Sequence, residues 1–149
     1  MTILYAKIHG FSDFFTSKYK SRGSIGFLQR IYSKFDSLCA KYEVYKVHTL
    51  CQTYVAMGFK GQKDEKERTQ IDAAEEAKNI MILANKMMII IEAEKKKFND
   101  PLIRNLSLQI GINTGNITGF VIGSSVLRYD IFGQDVLIAS QVMKNTLMG

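Results

Sequence analysis

Apolar positions along this chain switch between two spacings, and each switch marks an element. Ile3 to Ile8 reads as a short strand, and His9-Gly10-Phe11-Ser12 as a turn in which Ser12 caps a brief helix. From Ser24 to about Tyr42 the set Ile25, Leu28, Ile31, Phe35, Leu38 and Tyr42 recurs every three or four residues. That spacing predicts a helix with all six on one face and Gln29, Arg30, Ser33, Lys34, Ser37 and Lys41 on the other. Val44 to Leu50 and Gln52 to Phe59 are β-branched and aromatic runs close enough to pair as a hairpin. Gly58, Gly61 and the charged stretch Lys63 to Arg68 predict a surface loop.

A second helix is predicted from about Thr69 to Phe98. Ile71, Ala74, Ala77, Met81, Ala84, Met88 and Ile91 form one stripe, no Pro or Gly interrupts it, and its methionines are expected in the core. Asp72, Glu75 and Glu76 lie near its start and Lys95, Lys96 and Lys97 near its end, the order the helix dipole favours. After Pro101, Leu106 to Ile112 alternates as a strand, and Asn113-Thr114-Gly115 turns into another, Asn116 to Ile122. Leu127 to Phe132 is a last strand-like piece, and Gly133 opens a helix to about Thr146. The order predicts an α+β fold, a ferredoxin-like βαββαβ core with helices covering one face of a mainly antiparallel sheet.

With 149 residues the chain suits one domain, 1–149, with a single sizeable core. A hydrophobic share of 46% and a charged share of 23% place it among globular chains and exclude disorder. No unbroken apolar run exceeds the length of Met87 to Ile91, far short of the roughly 20 residues that cross a bilayer, so a membrane span is excluded. The start, MTILYAKIHG, lacks a basic leader followed by an apolar stretch, and Cys39 and Cys51 have no metal-ligand spacing. Reduced thiols and a cytoplasmic location are the expectation, including the cytoplasmic part of a larger protein. A net charge of +6 suits an anionic partner such as nucleotide, nucleic acid or acidic lipid, or else lysines that solvate helix faces. Binding to nucleic acid is not expected, because the aromatic-rich run of an RNA-recognition sheet is absent and Gly119-Phe120-Val121 is its only echo.

Three segments, in order, resemble the class III nucleotide cyclase catalytic domain, the adenylyl and guanylyl cyclase family. Leu4-Tyr5-Ala6-Lys7-Ile8-His9-Gly10-Phe11-Ser12 is similar to the family's F-A-D-I-x-G-F-T. Phe35 to Tyr54, with Phe35-Asp36, Leu38-Cys39, Tyr42, Val44, Lys46-Val47-His48-Thr49 and Gln52, is similar to F-D-x-L-C-x-x-Y-x-V-x-K-I-K/E-T-I-G-D-x-Y. Gln109 to Gly115 and Arg128 to Ser140 are similar to R-x-G-I-x-x-G and Y-D-x-x-G-x-x-V-N-x-A-S-R. The resemblance implies a dimer with its active site at the subunit interface, a second cyclase-like domain as partner in the same chain or another, and ATP or GTP as nucleotide. It also implies a β segment beyond Gly149, so that the chain is expected to be a fragment of a longer polypeptide.

In the family, ring closure puts the ribose 3′-oxygen onto the α-phosphorus while pyrophosphate leaves, and metal ions held by two aspartates steady both oxygens. The matching positions here are Lys7 and Gln52. An ammonium repels a divalent cation that must approach to about 2.1 Å, and Gln52 offers one neutral carbonyl. No metal is therefore expected on this chain alone, and Mg or Mn only where a partner domain supplies the ligands. A fixed charge at Lys7 can instead favour a triphosphate near the Gly10-Phe11-Ser12 backbone. The family's base-reading pair falls at His48 and Asp130, where Asp130 fits the adenine pattern and His48 fits neither. Alternatively, the two form a structural pair. The family's ribose-positioning Asn and phosphate-contacting Arg fall at Leu137 and Gln141, which make neither contact. The expected function is a catalytically deficient pseudo-half that shapes or regulates a competent partner. The alternatives are a base-binding half of a heterodimeric cyclase and an architectural component of a larger assembly.

Overall fold

The computed structural model describes residues 1–16, 21–58 and 69–146. Its elements, in order, are β1 (Thr2–His9), α1 (Phe11–Thr16), α2 (Ser21–Lys41), β2 (Val44–Leu50), β3 (Thr53–Gly58), α3 (Gln70–Lys95), α4 (Pro101–Arg104), β4 (Ser107–Thr114), β5 (Thr118–Ile122), β6 (Arg128–Phe132) and α5 (Gln134–Asn145). Gly61 and the stretch from Lys63 to Arg68, predicted as a loop, lie outside the described residues.

Four strands form one antiparallel sheet in the order β2-β3-β1-β4. The run Ile3 to Ala6 in β1 is apolar or aromatic on both faces of the sheet because the strand is central and covered on both sides. Leu4, Ala6 and Ile8 point one way, into a core built with Phe27, Ile31 and Phe35 of α2 and Ile80, Leu83, Met87 and Ile91 of α3. Ile3 points the other way, joining Val55 and Met57 of β3, Ile131 of β6, and Val136 and Ala139 of α5. The helices therefore occupy both faces: α2 and α3 cover one, and α5 the other. α5 can approach because β4 carries Gly111 beneath it, where a Cβ would stand 2.2 Å from the Ala139 carbonyl oxygen.

Several local expectations are corrected. The buried face of α2 runs through Phe27, Ile31, Phe35 and Cys39, whereas Ile25 is 54% exposed. On α3 the buried stripe is Glu76, Ile80, Leu83, Ala84, Met87, Ile91 and Glu94. Ile71, Met81 and Met88 face outward, so only Met87 of the helix's three methionines joins the core. The span from Ile80 to Ile91 is apolar nearly all round, and spacing alone admits two registers. The start of α3 is as predicted: the Thr69 hydroxyl accepts from the Asp72 amide at 3.2 Å and the Asp72 carboxylate accepts from the Thr69 amide at 3.1 Å. Ser12 does not cap α1 but is its second residue, following Gly10 (φ 80°) and Phe11. The Asn113-Thr114-Gly115 turn leads off the main sheet, and β5 pairs with β6 as a separate ribbon.

Candidate functional site

The two positions where carboxylates were expected meet because a turn folds back onto the central strand. Lys7 lies opposite Thr53 of β3 and Gln109 of β4. Cys51, in the left-handed region at φ 49°, turns β2 into β3, and the Gln52 carbonyl accepts from the Ile8 amide at 2.9 Å. Lys7 and Gln52 consequently line one groove of about 430 Å³, together with His48, Thr53, Tyr5 and, from α5, Ser140, Met143 and Lys144. Among the described residues no carboxylate lines it.

His48 belongs to β2 at a register shift that follows Lys46. The β5–β6 ribbon reaches β2 through an edge-on contact of Tyr45 with Tyr129, ring centroids 5.8 Å apart, and this brings Asp130 to His48. The His48 Nδ1 stands 3.5 Å from Asp130 Oδ1. This is a charge–dipole contact and not a hydrogen bond, since Nδ1 is buried without a bonding partner of suitable geometry. Asp130 Oδ1 instead accepts from the Ile131 amide at 2.9 Å, and Arg128 stands 3.7 Å from Oδ2. Burial pushes His48 below the ordinary histidine value; Asp130 opposes that push and Arg128 reinforces it. Tyr5, half-buried beside them, is raised by burial and then by Asp130.

The remaining expected positions fall elsewhere. Phe11 and Ser12 line a second cavity of about 330 Å³, walled by Phe15, Ile25 and Leu28. Cys51 and Gln52 line both spaces, and Gln52 Nε2 donates to Ser12 Oγ at 3.5 Å. Gly10 adjoins this cavity without lining it. Leu137 (64% exposed) and Gln141 project from α5 into solvent, outside the groove. The structure thus unites Lys7, Gln52 and His48 in one groove, sets Asp130 behind His48, joins Ser12 to the groove only through Gln52, and leaves Leu137 and Gln141 off its lining.

Sequence reasoning missed Ser140 and Lys144, whose i, i+4 spacing on α5 was the available signal. Among the described residues no three His, Cys, Asp or Glu stand close enough to hold a metal ion. The polar lining of the groove does not suit a hard cation: it has ammonium groups at Lys7 and Lys144, a carboxamide at Gln52, an imidazole at His48 and hydroxyls at Tyr5, Thr53 and Ser140.

The family described as Adenylate and Guanylate cyclase catalytic domain matches residues 1–149. Guanylate cyclase alpha of Plasmodium falciparum is 34% identical over 149 residues, which are all of this chain and 3% of that protein. The guanylate cyclase of Toxoplasma gondii is 30% identical over the same length, again 3% of its own. Among solved structures, the guanylate cyclase domain of RhGC from Catenaria anguillulae, in complex with GTP, aligns with a TM-score of 0.75 at 20% identity, covering 97% of this chain and 71% of that one. The guanylyl cyclase Cya2 aligns with a TM-score of 0.79 at 17% identity, covering 98% and 70%. The chain spans a few per cent of its long relatives and about seven-tenths of the solved domains.

Proposed function

We propose that this chain, which belongs to the adenylate and guanylate cyclase catalytic-domain family, is the non-catalytic half of a cyclase dimer, packing against a competent domain to shape or regulate it. The observation that carries this reading is the pair Lys7 and Gln52, side by side in a groove that no carboxylate among the described residues lines. Metal-assisted attack on the α-phosphorus needs acidic oxygens there. Leu137 and Gln141 supply neither the amide nor the charged fork of the family pattern. Support for a partner comes from the apolar surface of the β5–β6 ribbon and α5. Phe120, Val121, Ile122, Val126, Leu127 and Phe132 are exposed, and Leu137, Ile138 and Val142 follow on α5. Such a concentration of apolar surface marks an interaction face.

The competent domain is a second cyclase-like segment of the same longer polypeptide or of another protein, and the guanylate cyclase names of the relatives favour GTP as its nucleotide. The test is co-expression with a cyclase domain that retains both aspartates, read by mass of the complex and by cyclic nucleotide formation. This chain alone is expected to form none with magnesium or manganese, and Val121→Asp with Leu127→Asp is expected to prevent pairing. Metal-dependent cyclic nucleotide formation by the chain alone would overturn the reading.

The juxtaposition of His48 and Asp130, with Nδ1 unbonded, favours a second reading in which this half holds the base while a partner supplies both carboxylates. Under it, His48→Ala with Asp130→Ala abolishes turnover of the assembled dimer without unfolding it, and unchanged turnover removes it.

A further inference from the structure

The groove at Lys7 has a composition that fits a ligand of its own. Lys34, Lys46, Lys95 and Lys97 each reach a carboxylate, on Glu94, Asp36, Glu92 and Glu94 respectively. Lys7 is half-buried yet has no carboxylate or hydrogen-bond partner among the described residues; Lys144, at the same groove and also without one, is exposed, so the cost of desolvation falls on Lys7 alone. An ammonium drawn partly out of water with no counter-charge is unfavourable unless an anion completes it. Around the two lysines stand groups that donate to phosphate oxygens: the hydroxyls of Thr53 and Ser140 and the amide of Gln52. Asp130, the acid that approaches His48, is engaged by the Ile131 amide and Arg128 and does not line the space. A volume of about 430 Å³ is that of a small-molecule site.

We infer that this groove binds an oligophosphate chain, free or carried on a nucleoside triphosphate, without a divalent metal, Lys7 and Lys144 supplying fixed positive charge in its place. A metal-loaded ligand would meet two ammonium groups and lose affinity; the bare polyanion gains it. The inference goes beyond the pairing reading, since it concerns this chain unaccompanied.

The experiment is calorimetric titration of the 149-residue chain with inorganic triphosphate, GTP and ATP, each in EDTA and then in excess magnesium. Binding is expected in EDTA and is expected to weaken in magnesium. Lys7→Gln and Lys144→Gln should each weaken it about tenfold or more, the scale of one charge-assisted hydrogen bond, while Lys7→Arg retains it. Circular dichroism of each variant separates loss of the site from loss of the fold. Triphosphate binding as tightly as GTP identifies the phosphate chain as the ligand, and tighter binding of GTP or ATP identifies the nucleotide. Binding that requires magnesium, binding that Lys7→Gln leaves unchanged, or no binding of any of the three overturns the inference. None of these results bears on pairing, which is read by the mass of the complex.

Discussion

Glu94 is the clearest place to test the packing that holds the sheet. Its side chain is 0% exposed, and Oε1 accepts from Lys34 Nζ at 2.6 Å and from Lys97 Nζ at 2.5 Å, so that α2 is clamped to the end of α3. Oε2 has only Arg30 Nε at 4.0 Å, too long for a hydrogen bond. The hydrogen bonds from Lys34 and Lys97 outweigh burial and hold the carboxyl below the usual glutamate range. In Glu94→Gln the amide oxygen can still face both lysines, but each bond loses its charge assistance, about 1 kcal/mol apiece. The new NH2 then lies buried where Oε2 lacked a partner, costing about 1 kcal/mol more. The two lysines, 43% and 56% exposed, can return to water, so the penalty of a stranded buried cation does not apply. The sum, about 3 kcal/mol, corresponds to roughly 10 °C in melting temperature for a chain of this size. The pH dependence has a fixed sign. A depressed folded-state value makes the wild-type advantage complete above the unfolded glutamate value near 4.5, and the advantage is lost as pH falls through the lower folded value. Urea denaturation of both proteins from neutral to acid pH measures it. A Glu94→Gln protein as stable as wild type at neutral pH, or a difference that grows in acid, would refute the reasoning.

Three further outcomes can be measured directly. Gly111→Ala places a Cβ 2.2 Å from the Ala139 oxygen and 2.3 Å from the Met143 nitrogen, and should destabilise by about 3 kcal/mol with faster hydrogen exchange along α5. Gly26→Ala on α2 meets nothing within 4 Å, and should gain up to about 1 kcal/mol in urea titrations. His48, pushed down by burial, should titrate by NMR below 6.5. Asp130→Asn should push it lower and Arg128→Gln raise it, because the two neighbours act in opposite directions.

Much of the fold was legible because strands and helices here differ in period and are punctuated by Gly, Pro and caps. The start of α3 at Thr69 and the Val44–Leu50 strand bounds were readable for that reason. What was not legible depended on neighbours distant in sequence. The face of α3 was ambiguous where Ile80 to Ile91 is apolar all round, and burial chose Met87 over Met88. The seating of α5 opposite α2 and α3 rests on the absent side chain of Gly111, which no spacing announces. At the site, motif spacing found Lys7, Gln52, His48 and Asp130. It could not find Lys144, which joins them only because α5 crosses the sheet. Leu137 and Gln141 were identified as positions and do not line the groove.

The placement of the first strand at the centre of the sheet has a consequence for biosynthesis. β1 leaves the ribosome before any partner exists, yet it must pair with β3, up to Met57, and with β4, where Thr2 meets Thr114. The Thr2 and Thr114 hydroxyls lie 2.8 Å apart, and the Met1 nitrogen donates to the Gly115 carbonyl at 3.0 Å. A nascent chain therefore carries β1 with at least one unpaired edge until residue 115 emerges, a non-local pairing that slows folding and leaves that edge open to association during synthesis.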